Sequence, residues 1–255
     1  MAIHSEIDGA VAVVTIDRPE VANAIDRPTA EALAGAFRGV ESNEEVSVAV
    51  LAGANQTFCA GADLKAMQEP GAPRANRIEA DGDGPVGPTR MLLDKPVIAA
   101  VEGHAVAGGL ELAAWCDLRV AAEDAVFGVY CRRWGIPLMD GGTIRLARLI
   151  GLSHALDLIL TGRGVQGEEA VRMGLANRLV PSGLALAAAI ELAREIASWP
   201  QAALRSDRLS CYQQWSLGLD EALAGEYRHG IATLETGELF SGLDRYASGD
   251  WRRDR

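Results

Sequence analysis

The chain has 255 residues, of which 49% are hydrophobic and 23% charged, and its formal net charge is −11. A chain of this length can bury a sizeable core, either as one large domain with a small appendage or as two domains. The acidic balance argues against a nucleic-acid or anionic-membrane partner, because binding to phosphates needs a basic surface, although a local basic pocket for a small phosphorylated ligand stays compatible with it.

The cysteine and histidine usage indicates a reducing compartment and gives no sign of a metal site. The four cysteines are widely spaced without a Cys-x-x-Cys pair, so we expect reduced, mostly core-filling thiols in a cytoplasmic protein. The four histidines do not cluster with them, and we expect no zinc site. We also expect neither a secretory signal nor a membrane span, because the N-terminal segment lacks the order of a signal and the apolar runs are short.

The N-terminal part of the chain predicts a hairpin followed by a helix. IHSEI and VAVVTID flank the favoured turn dipeptide Asp8-Gly9, which predicts a β-hairpin over residues 3–17. Asp26 is a favoured helix N-cap, and Pro28 suits the first turn. The apolar residues that follow lie three, four and three positions apart, on one helix face: Ala30, Leu33, Phe37 and Val40.

Two short apolar runs, residues 46–53 and 96–103, predict buried strands because they are apolar on both faces and rich in β-branched residues. Buried strands separated by helices favour an α/β architecture with parallel pairing. Residues 70–90 contain four prolines and several glycines. That composition predicts a mobile loop or lid rather than a packed element.

The C-terminal part of the chain is predicted to be helical. From about residue 184 onward, LALAAAIELAREIAS and DEALAGEYRHGIATLETGELFSGL have helical patterns and no strand signal. We therefore expect a core that binds ligand and carries out chemistry over residues 1–195. A helical C-terminal region over residues 196–255 is expected to pack on that core or on a neighbouring subunit.

One glycine motif is excluded as a nucleotide site by its context. TGRGVQG places Gly162, Gly164 and Gly167 at the G-x-G-x-x-G spacing. A dinucleotide loop needs a preceding strand and an acidic residue about 20 positions later. Here the preceding SHALDLIL is helical in pattern, and a run of alanines stands near residue 187. We interpret the segment as a connection between two helices.

The segment GHAVAGGLELAAW, residues 103–115, follows a predicted strand and starts a helix after Gly108-Gly109. Free N–H groups at a helix N-terminus can bind a developing negative charge, and glycine lets a ligand approach them. Glu111 lies in the first turn between apolar neighbours and is a candidate acid/base. The alternative is that the glycines serve close packing and Glu111 complements the helix dipole.

The segment TFCAGADLK, residues 57–65, has the same construction. It follows a predicted strand and places small residues at a sharp turn before a helix. Two strand ends with exposed amides could aim two donors at one carbonyl oxygen, which is the construction of an oxyanion hole. The alternative is a tight turn that needs Gly61 for its backbone conformation.

With both segments present, the chain resembles the crotonase, or enoyl-CoA hydratase/isomerase, superfamily over nearly its whole length. The resemblance runs from IDRPEVANAID through FCAGADLK and KPVIAAVEGHAVAGGLELAAWCDLRVA to FGVYCRRWGIPLMDGGTIRLARLIG, LTGRGVQGEEAVRMGLANRLV and the helical tail, and FCAGADL and AVAGGLEL are its most specific parts. It implies an α/β fold, a spiral of ββα units with a helical C-terminal trimerisation region. The implied assembly is a homotrimer, or a hexamer of two trimers.

The resemblance also implies a substrate and a site. The substrates would be acyl-CoA thioesters, with coenzyme A entering as part of the substrate and no separate cofactor. The backbone N–H groups of Ala60 and Gly108 would hold the thioester oxygen and stabilise an enolate. Further matching positions would contact the CoA moiety, the last two near the adenine end: Ala62, Asp63, Leu64, Ala22 and Ala24.

The chain departs from the family pattern at the second catalytic glutamate. Glu111 matches the first of two glutamates in typical hydratases, and the second belongs in the pattern Phe-Gly-x-Pro-Glu. Here the segment reads FGVYC, with Cys131 at that position. A thiol has a pKa about 4 units above that of glutamic acid and is not an equivalent acid. As a nucleophile, Cys131 would need an activating positive neighbour such as Arg132 or Arg133, which could instead pair with acids or reach a polar acyl group.

Asp140 is the candidate for a second acid. It precedes two glycines, in a loop that lines the acyl pocket of related proteins. The alternative is that Asp140 caps the helix beginning there. Three residues of the same segment are candidates for the wall of an apolar acyl pocket, or alternatively for the core: Cys131, Trp134 and Leu138.

Two classes of function therefore stay open. In the first, the protein is an enzyme in which Glu111 is the principal acid/base and Asp140 the second acid. Enoyl-CoA hydration is favoured, and double-bond isomerisation and acyl-CoA hydrolysis are the alternatives. In the second, which the missing glutamate motivates, the protein binds acyl-CoA without catalysis, as a sensor or assembly partner. A nucleic-acid role is disfavoured by the net charge of −11.

Overall fold

A computed structural model of the chain describes residues 2–68 and 71–249. The chain divides into two compact units, Met1–Arg194 and Glu195–Arg255. The division lies close to the predicted one between residues 195 and 196. The assignment of ligand binding and chemistry to the first region, and of subunit packing to the second, stays a prediction.

The N-terminal elements confirm the local predictions. Strands β1 (Ile3–Asp8) and β2 (Val11–Ile16) form an antiparallel hairpin. Helix α1 (Arg27–Ser42) starts at Asp26, whose Oδ1 accepts hydrogen bonds from the Thr29 N–H at 3.1 Å and the Thr29 hydroxyl at 2.5 Å. The predicted apolar face of α1 is buried. This capped helix packs along the first two strands.

The larger sheet has six strands in the order β1-β2-β3-β4-β6-β9. Beyond the hairpin, every neighbouring pair in this sheet is parallel. The two predicted buried strands are β3 (Val48–Gly53) and β4 (Val97–Val101). The others are β6 (Leu118–Ala122) and β9 (Arg178–Val180). The prediction of an α/β architecture with parallel pairing is therefore confirmed.

A second sheet of three strands has the order β5-β7-β8. It consists of β5 (His104–Val106), β7 (Val126–Gly128) and β8 (Gly164–Gln166). Strand β8 lies inside TGRGVQG, so the expectation of a plain connection between helices was wrong at this point. Residues 164–166 pair antiparallel with β7. So short a segment is not stable as a strand alone, and the pairing with β7 stabilises it.

Three helices complete the part of the first unit that positions the site. Helix α2 (Gly108–Trp115) is buried at every position and follows β5 directly. Helix α3 (Gly142–Thr161) includes SHALDLIL, as predicted, and bends at Gly151, where φ is +76°. Helix α4 (Gly167–Met173) follows β8.

The predicted mobile loop over residues 70–90 is packed only in its last part: most of residues 71–83 are exposed, and the prediction is wrong for residues 84–89. Position 70 lies outside the described residues. Residues 84–89 are buried, and Gly84 and Gly87 exchange two backbone hydrogen bonds of 2.9 Å. The buried Asn76 amide donates to the carbonyls of Ile25 and Pro85, at 3.0 and 2.9 Å. The composition predicted the turns, but it could not reveal these long-range contacts.

The C-terminal part is helical, as predicted, up to residue 249. It consists of α5 (Ala185–Ser198), α6 (Gln201–Gln213), α7 (Leu219–Glu235) and α8 (Glu238–Ser248). Helices α6 and α7 pack against each other, and the Glu238 carboxylate accepts the N–H groups of Ala202 and Ala203 at the start of α6. Among the described residues, no helix is both long enough and apolar enough to cross a bilayer.

Candidate active site

The two glycine-containing segments, residues 57–65 and 103–115, meet at their turns. Cys59 bridges Ala105, and its carbonyl accepts the Val106 N–H at 3.0 Å. Gly61 has a φ of +92°, and a Cβ there would lie only 2.7 Å from the Gly108 nitrogen. Glycine at position 61 is therefore required both by its backbone conformation and by the close approach of the second turn.

The backbone N–H groups at these turns correct one predicted donor. The Ala60 N–H donates to the Ala22 carbonyl at 3.1 Å, so it is not free to hold a ligand oxygen. Ile25 bridges Ala62 in parallel fashion, bonding to Gly61 and Asp63, so the Ala62 N–H points to the opposite side. The Ala60 N–H that the resemblance implied as a donor is therefore already used, whereas the neighbouring Ala62 N–H is available.

Ala62 and Gly108 form the better donor pair. A Cβ at Gly108 would lie 3.6 Å from the Ala62 nitrogen, which shows how close the two amides are. Within residues 2–68 and 71–249, neither N–H donates to another part of the chain. Both residues line the same cleft. Two neighbouring free N–H groups in one cleft are of the kind that can bind an oxyanion.

Glu111 lies in the first turn of α2 and reaches across to the start of α3. Its side chain is 3% exposed, and its Oε1 accepts the N–H groups of Asp140 and Gly142 at 2.9 and 2.8 Å. A Cβ at Gly142 would lie 2.8 Å from the Glu111 Cγ. Glu111 therefore does more than complement the dipole of its own helix: it is fixed by a second helix and lines the cleft.

Asp140 is buried at the same place, with 3% exposure. Its Oδ1 accepts the Val86 N–H at 3.1 Å and the Thr89 hydroxyl at 2.5 Å. Arg145 donates to the backbone carbonyls of Asp140 and Thr89, at 2.8 and 2.6 Å. The alternative role of Asp140 as the side-chain cap of α3 is wrong, because α3 has no side-chain cap.

Both carboxyl groups have raised pKa values. Burial, and next the negative charge of Asp140, raise the pKa of Glu111 to about 7. Burial also raises the pKa of Asp140, against the lowering effect of the hydrogen bonds from Thr89 and Val86. Two close buried carboxyls do not both ionise easily, so Glu111 keeps its proton to a higher pH than an exposed glutamate does.

Cys131 lines the cleft as predicted but lacks the environment of a nucleophile. Burial, and next the charge of Glu111, raise the pKa of its thiol, and the attraction of Arg132 is a smaller effect. The Arg132 Nε donates to the Ile159 carbonyl at 3.2 Å, and the Arg133 guanidinium stacks 3.6 Å from the centre of the Tyr130 ring. A nucleophilic cysteine needs a lowered pKa, so the structure argues against this alternative.

The cleft has an empty volume of about 1450 Å³, including its open mouth. On the acyl side, Trp134 lies on the lip and is 66% exposed. Of the two alternatives for Leu138, the structure agrees with the core: the residue packs against the core and is not among the described residues that line the cleft. The neighbouring apolar residues that do line it are Ile136, Pro137 and Met139.

The residues predicted to contact CoA are divided by the structure. Ala24, Ala62, Asp63 and Leu64 line the cleft, and Ala22 is not among the described lining residues. The Asp63 carboxylate is used inside the protein rather than towards a ligand. It is buried, and its Oδ2 lies 3.0 Å from an Arg18 nitrogen while Oδ1 accepts the Lys65 N–H at 3.1 Å.

Four residues at the site were missed from the sequence: Asn76, Val86, Thr89 and Arg145. Thr89 and Val86 are more than 50 positions from Asp140, and the only sequence signal was a threonine among prolines and glycines. Within the part of the chain that the structure describes, no group of three or more His, Cys, Asp or Glu side chains could hold a metal ion.

Comparison with known proteins agrees with this geometry. A sequence model of the enoyl-CoA hydratase/isomerase family matches residues 6–250. A short-chain-enoyl-CoA hydratase of Clostridium acetobutylicum is 38% identical over 245 residues, covering 94% of this chain and 90% of that protein. A carnitinyl-CoA dehydratase of Salmonella typhi is 39% identical over 197 residues, covering 76% of this chain and 74% of the other.

Comparison with solved structures gives the same family. The crystal structure of an enoyl-CoA hydratase from Mycobacterium tuberculosis superposes with a TM-score of 0.91 at 33% identity, covering 97% of this chain and 96% of that one. The predicted superfamily and crotonase-like fold are thereby confirmed. This chain belongs to the enoyl-CoA hydratase/isomerase family.

Proposed function

We propose that this protein is an enoyl-CoA hydratase-like enzyme that adds water across the Cα–Cβ double bond of an enoyl-CoA thioester. The observation that carries the proposal is a buried pair of carboxyls, Glu111 and Asp140, in one cleft with the free N–H groups of Ala62 and Gly108. The names of similar proteins, a short-chain-enoyl-CoA hydratase among them, support the same chemistry.

The thioester oxygen would accept hydrogen bonds from the Ala62 and Gly108 N–H groups. When a water oxygen attacks Cβ, electrons move from the double bond to the thioester carbonyl, and negative charge develops on that oxygen. Donors already fixed in a water-excluded cleft stabilise such charge without reorganising. Losing one such donor typically costs about 10²–10³ in rate.

The carboxyl pair would supply the base and the acid together. In the reactive state both carboxyls are ionised, and the charge of Asp140 raises the pKa of Glu111. Glu111 takes a proton from the attacking water as the hydroxyl bonds to Cβ, and this proton passes through Asp140 to Cα as the enolate collapses. The sum is one water added, and both carboxyls are again ionised. A base with a pKa near 7 suits this exchange at neutral pH.

The cysteine at position 131 leaves three alternatives to hydration. A neutral thiol stands where related hydratases have a second glutamate, so the chemistry rests on Glu111 and Asp140 alone. A single proton shuttle between carbon atoms would give double-bond isomerisation, and an inert pair would give an acyl-CoA-binding protein without catalysis. Thioester hydrolysis is the third alternative.

The deciding experiment is product analysis by mass spectrometry in heavy-oxygen water with a panel of enoyl-CoAs. Hydration adds one labelled water to the acyl chain. Free labelled acid would mean hydrolysis, and an unchanged mass with a moved double bond would mean isomerisation. No product from a protein that binds acyl-CoA would favour the non-catalytic role. Glu111→Gln should lower turnover by about 10²–10⁴ while CoA ligands still bind, and full activity of this variant would remove Glu111 from the mechanism.

The assembly and location are part of the same proposal. We propose a homotrimer, or a hexamer of two trimers, in the cytoplasm, with an acyl-CoA thioester as the small-molecule partner. Large apolar side chains of the C-terminal unit are exposed in the single chain, which supports burial between subunits: Leu219, Tyr227 and Phe240. The four cysteines are all free thiols, as a reducing compartment requires. Sedimentation equilibrium would give the subunit number.

A further inference from the structure

The cleft contains one buried polar atom that the chain itself leaves unpaired. Asn76 is 8% exposed and lines the cleft. Its Oδ1 has no hydrogen-bond partner among the described residues. Buried side-chain oxygens are nearly always satisfied, because losing water without a replacement is unfavourable. An unsatisfied acceptor in a ligand cleft therefore marks a position where a ligand supplies the donor.

The orientation of this amide is fixed by its surroundings. The Asn76 Nδ2 donates to the Ile25 carbonyl at 3.0 Å and to the Pro85 carbonyl at 2.9 Å. Exchanging the nitrogen and the oxygen would set an acceptor against two acceptors, so the assignment is unambiguous. Both amide protons are used, and Oδ1 is the atom left for a ligand.

The Asn76 amide is bonded to two segments that border the proposed reactive groups. Ile25, which Asn76 anchors on one side, bridges Ala62, one of the two proposed oxyanion donors. Pro85, on the other side, directly precedes Val86, whose N–H is bonded to Asp140. Asn76 thus joins the backbone beside the oxyanion hole to the segment that holds the second acid.

We propose that Asn76 is a substrate-binding residue whose Oδ1 accepts a hydrogen bond from an N–H or O–H group next to the thioester carbonyl. The proposal rests on the acyl-CoA function and adds a contact to it. Two groups of such a ligand have this chemistry: the amide N–H nearest the sulfur in the pantetheine arm, and a hydroxyl at Cβ of the acyl group. Because Oδ1 can only accept, a ligand with an acceptor at that point would be rejected.

Pairs of ligands that differ in one donor test the contact. For the pantetheine source, calorimetry compares butyryl-CoA with its analogue in which an ester oxygen replaces that amide N–H. For the acyl source, it compares 3-hydroxybutyryl-CoA with butyryl-CoA on the Glu111→Gln background, where turnover is expected to be slow. Each pair is measured with Asn76 present and with Asn76→Ala.

Asn76→Ala also removes the hydrogen bonds that hold its segment. Such a general effect lowers the affinity for both ligands of a pair equally, so the ratio of their dissociation constants stays unchanged. We expect one donor to improve affinity by about tenfold when Asn76 is present and to lose that advantage in Asn76→Ala. Thr89→Val serves as the matched control, because it removes one of the two hydrogen bonds from the same segment to Asp140 yet keeps the Asn76 Oδ1, and its affinity ratio should match that of the parent protein.

The outcomes separate the contact from the function. If Asn76→Ala abolishes the affinity difference between butyryl-CoA and its ester analogue, the donor to Asn76 is the pantetheine amide. If it abolishes the difference between 3-hydroxybutyryl-CoA and butyryl-CoA, the donor is the hydroxyl of the acyl group. Unchanged ratios for both pairs, with normal acyl-CoA binding by the parent protein, overturn the role of Asn76 and leave the proposed function intact. Absence of binding of every acyl-CoA to the parent protein overturns the proposed function, and the role of Asn76 with it.

Discussion

Gly142→Ala is the substitution with the most direct expected effect on the acid/base group. The added methyl group would start 2.8 Å from the Glu111 Cγ and 2.9 Å from its Oε1, so the carboxyl must move off the Gly142 N–H. A hydrogen bond to a charged group contributes about 1.5–3 kcal/mol. At 1.36 kcal/mol per pKa unit, its loss raises the pKa of Glu111 by about one to two units. The direction is upward because the lost bond stabilised the ionised form.

The assay is the pH dependence of kcat/KM for enoyl-CoA hydration. Glu111 acts as a base, so the rate rises with pH as Glu111 ionises, with a midpoint near its pKa of about 7. In Gly142→Ala this limb should move up by about one to two units, with a rate at pH 7 about five- to fiftyfold lower. Thr143→Ala is the matched control, since it places alanine in the same helical turn at an exposed position. Identical pH profiles for the two variants would refute the reasoning.

Three further substitutions have clear expected outcomes. Gly61→Ala should lower kcat by about 10²–10³, because the added methyl group displaces the Gly108 amide. Steady-state kinetics measure the rate, and thermal unfolding checks that the variant is folded. A folded variant with full activity would contradict this expectation. Cys131→Ala should keep kcat within about threefold and the pH profile unchanged, because the thiol is protonated; a loss of 10² or more in rate would restore it to the mechanism. Glu111→Gln should flatten the pH dependence of stability. A carboxyl with a raised folded pKa destabilises the fold as pH rises from 4.5 to about 7, so removing it should spare about 3 kcal/mol between pH 4.5 and 8 in denaturant titrations. Parallel curves for wild type and variant would contradict the raised pKa.

Local signals account for the parts of the fold that could be predicted from the sequence. The Asp8-Gly9 turn, the Asp26 cap and the apolar strands are specified by a few neighbouring residues, and the structure confirms each of them. Strand β8 was missed because three residues carry little periodicity, and their strand character depends on pairing with β7.

The site was predictable only where a motif spans it. Glu111 and Asp140 were singled out from the sequence, and in the structure the Asp140 backbone N–H donates to the Glu111 carboxylate. The donor shift from Ala60 to Ala62 depends on which side of the Ile25 bridge each amide faces, which residue type does not encode. Thr89 reaches Asp140 from a segment that sequence composition suggested was mobile, and such a contact follows from tertiary packing alone.

The Glu111 carboxylate has a structural role and a proposed catalytic role, and one substitution removes both. The oxygen that receives the amides of Asp140 and Gly142 belongs to the same group that would hold the catalytic proton. Protonating it weakens both bonds, so each turnover would loosen and retighten the start of α3 together with the backbone of the second acid. An engineer who replaces Glu111 to install a new reaction therefore also removes the acceptor that anchors α3, and must supply another one from a neighbouring side chain.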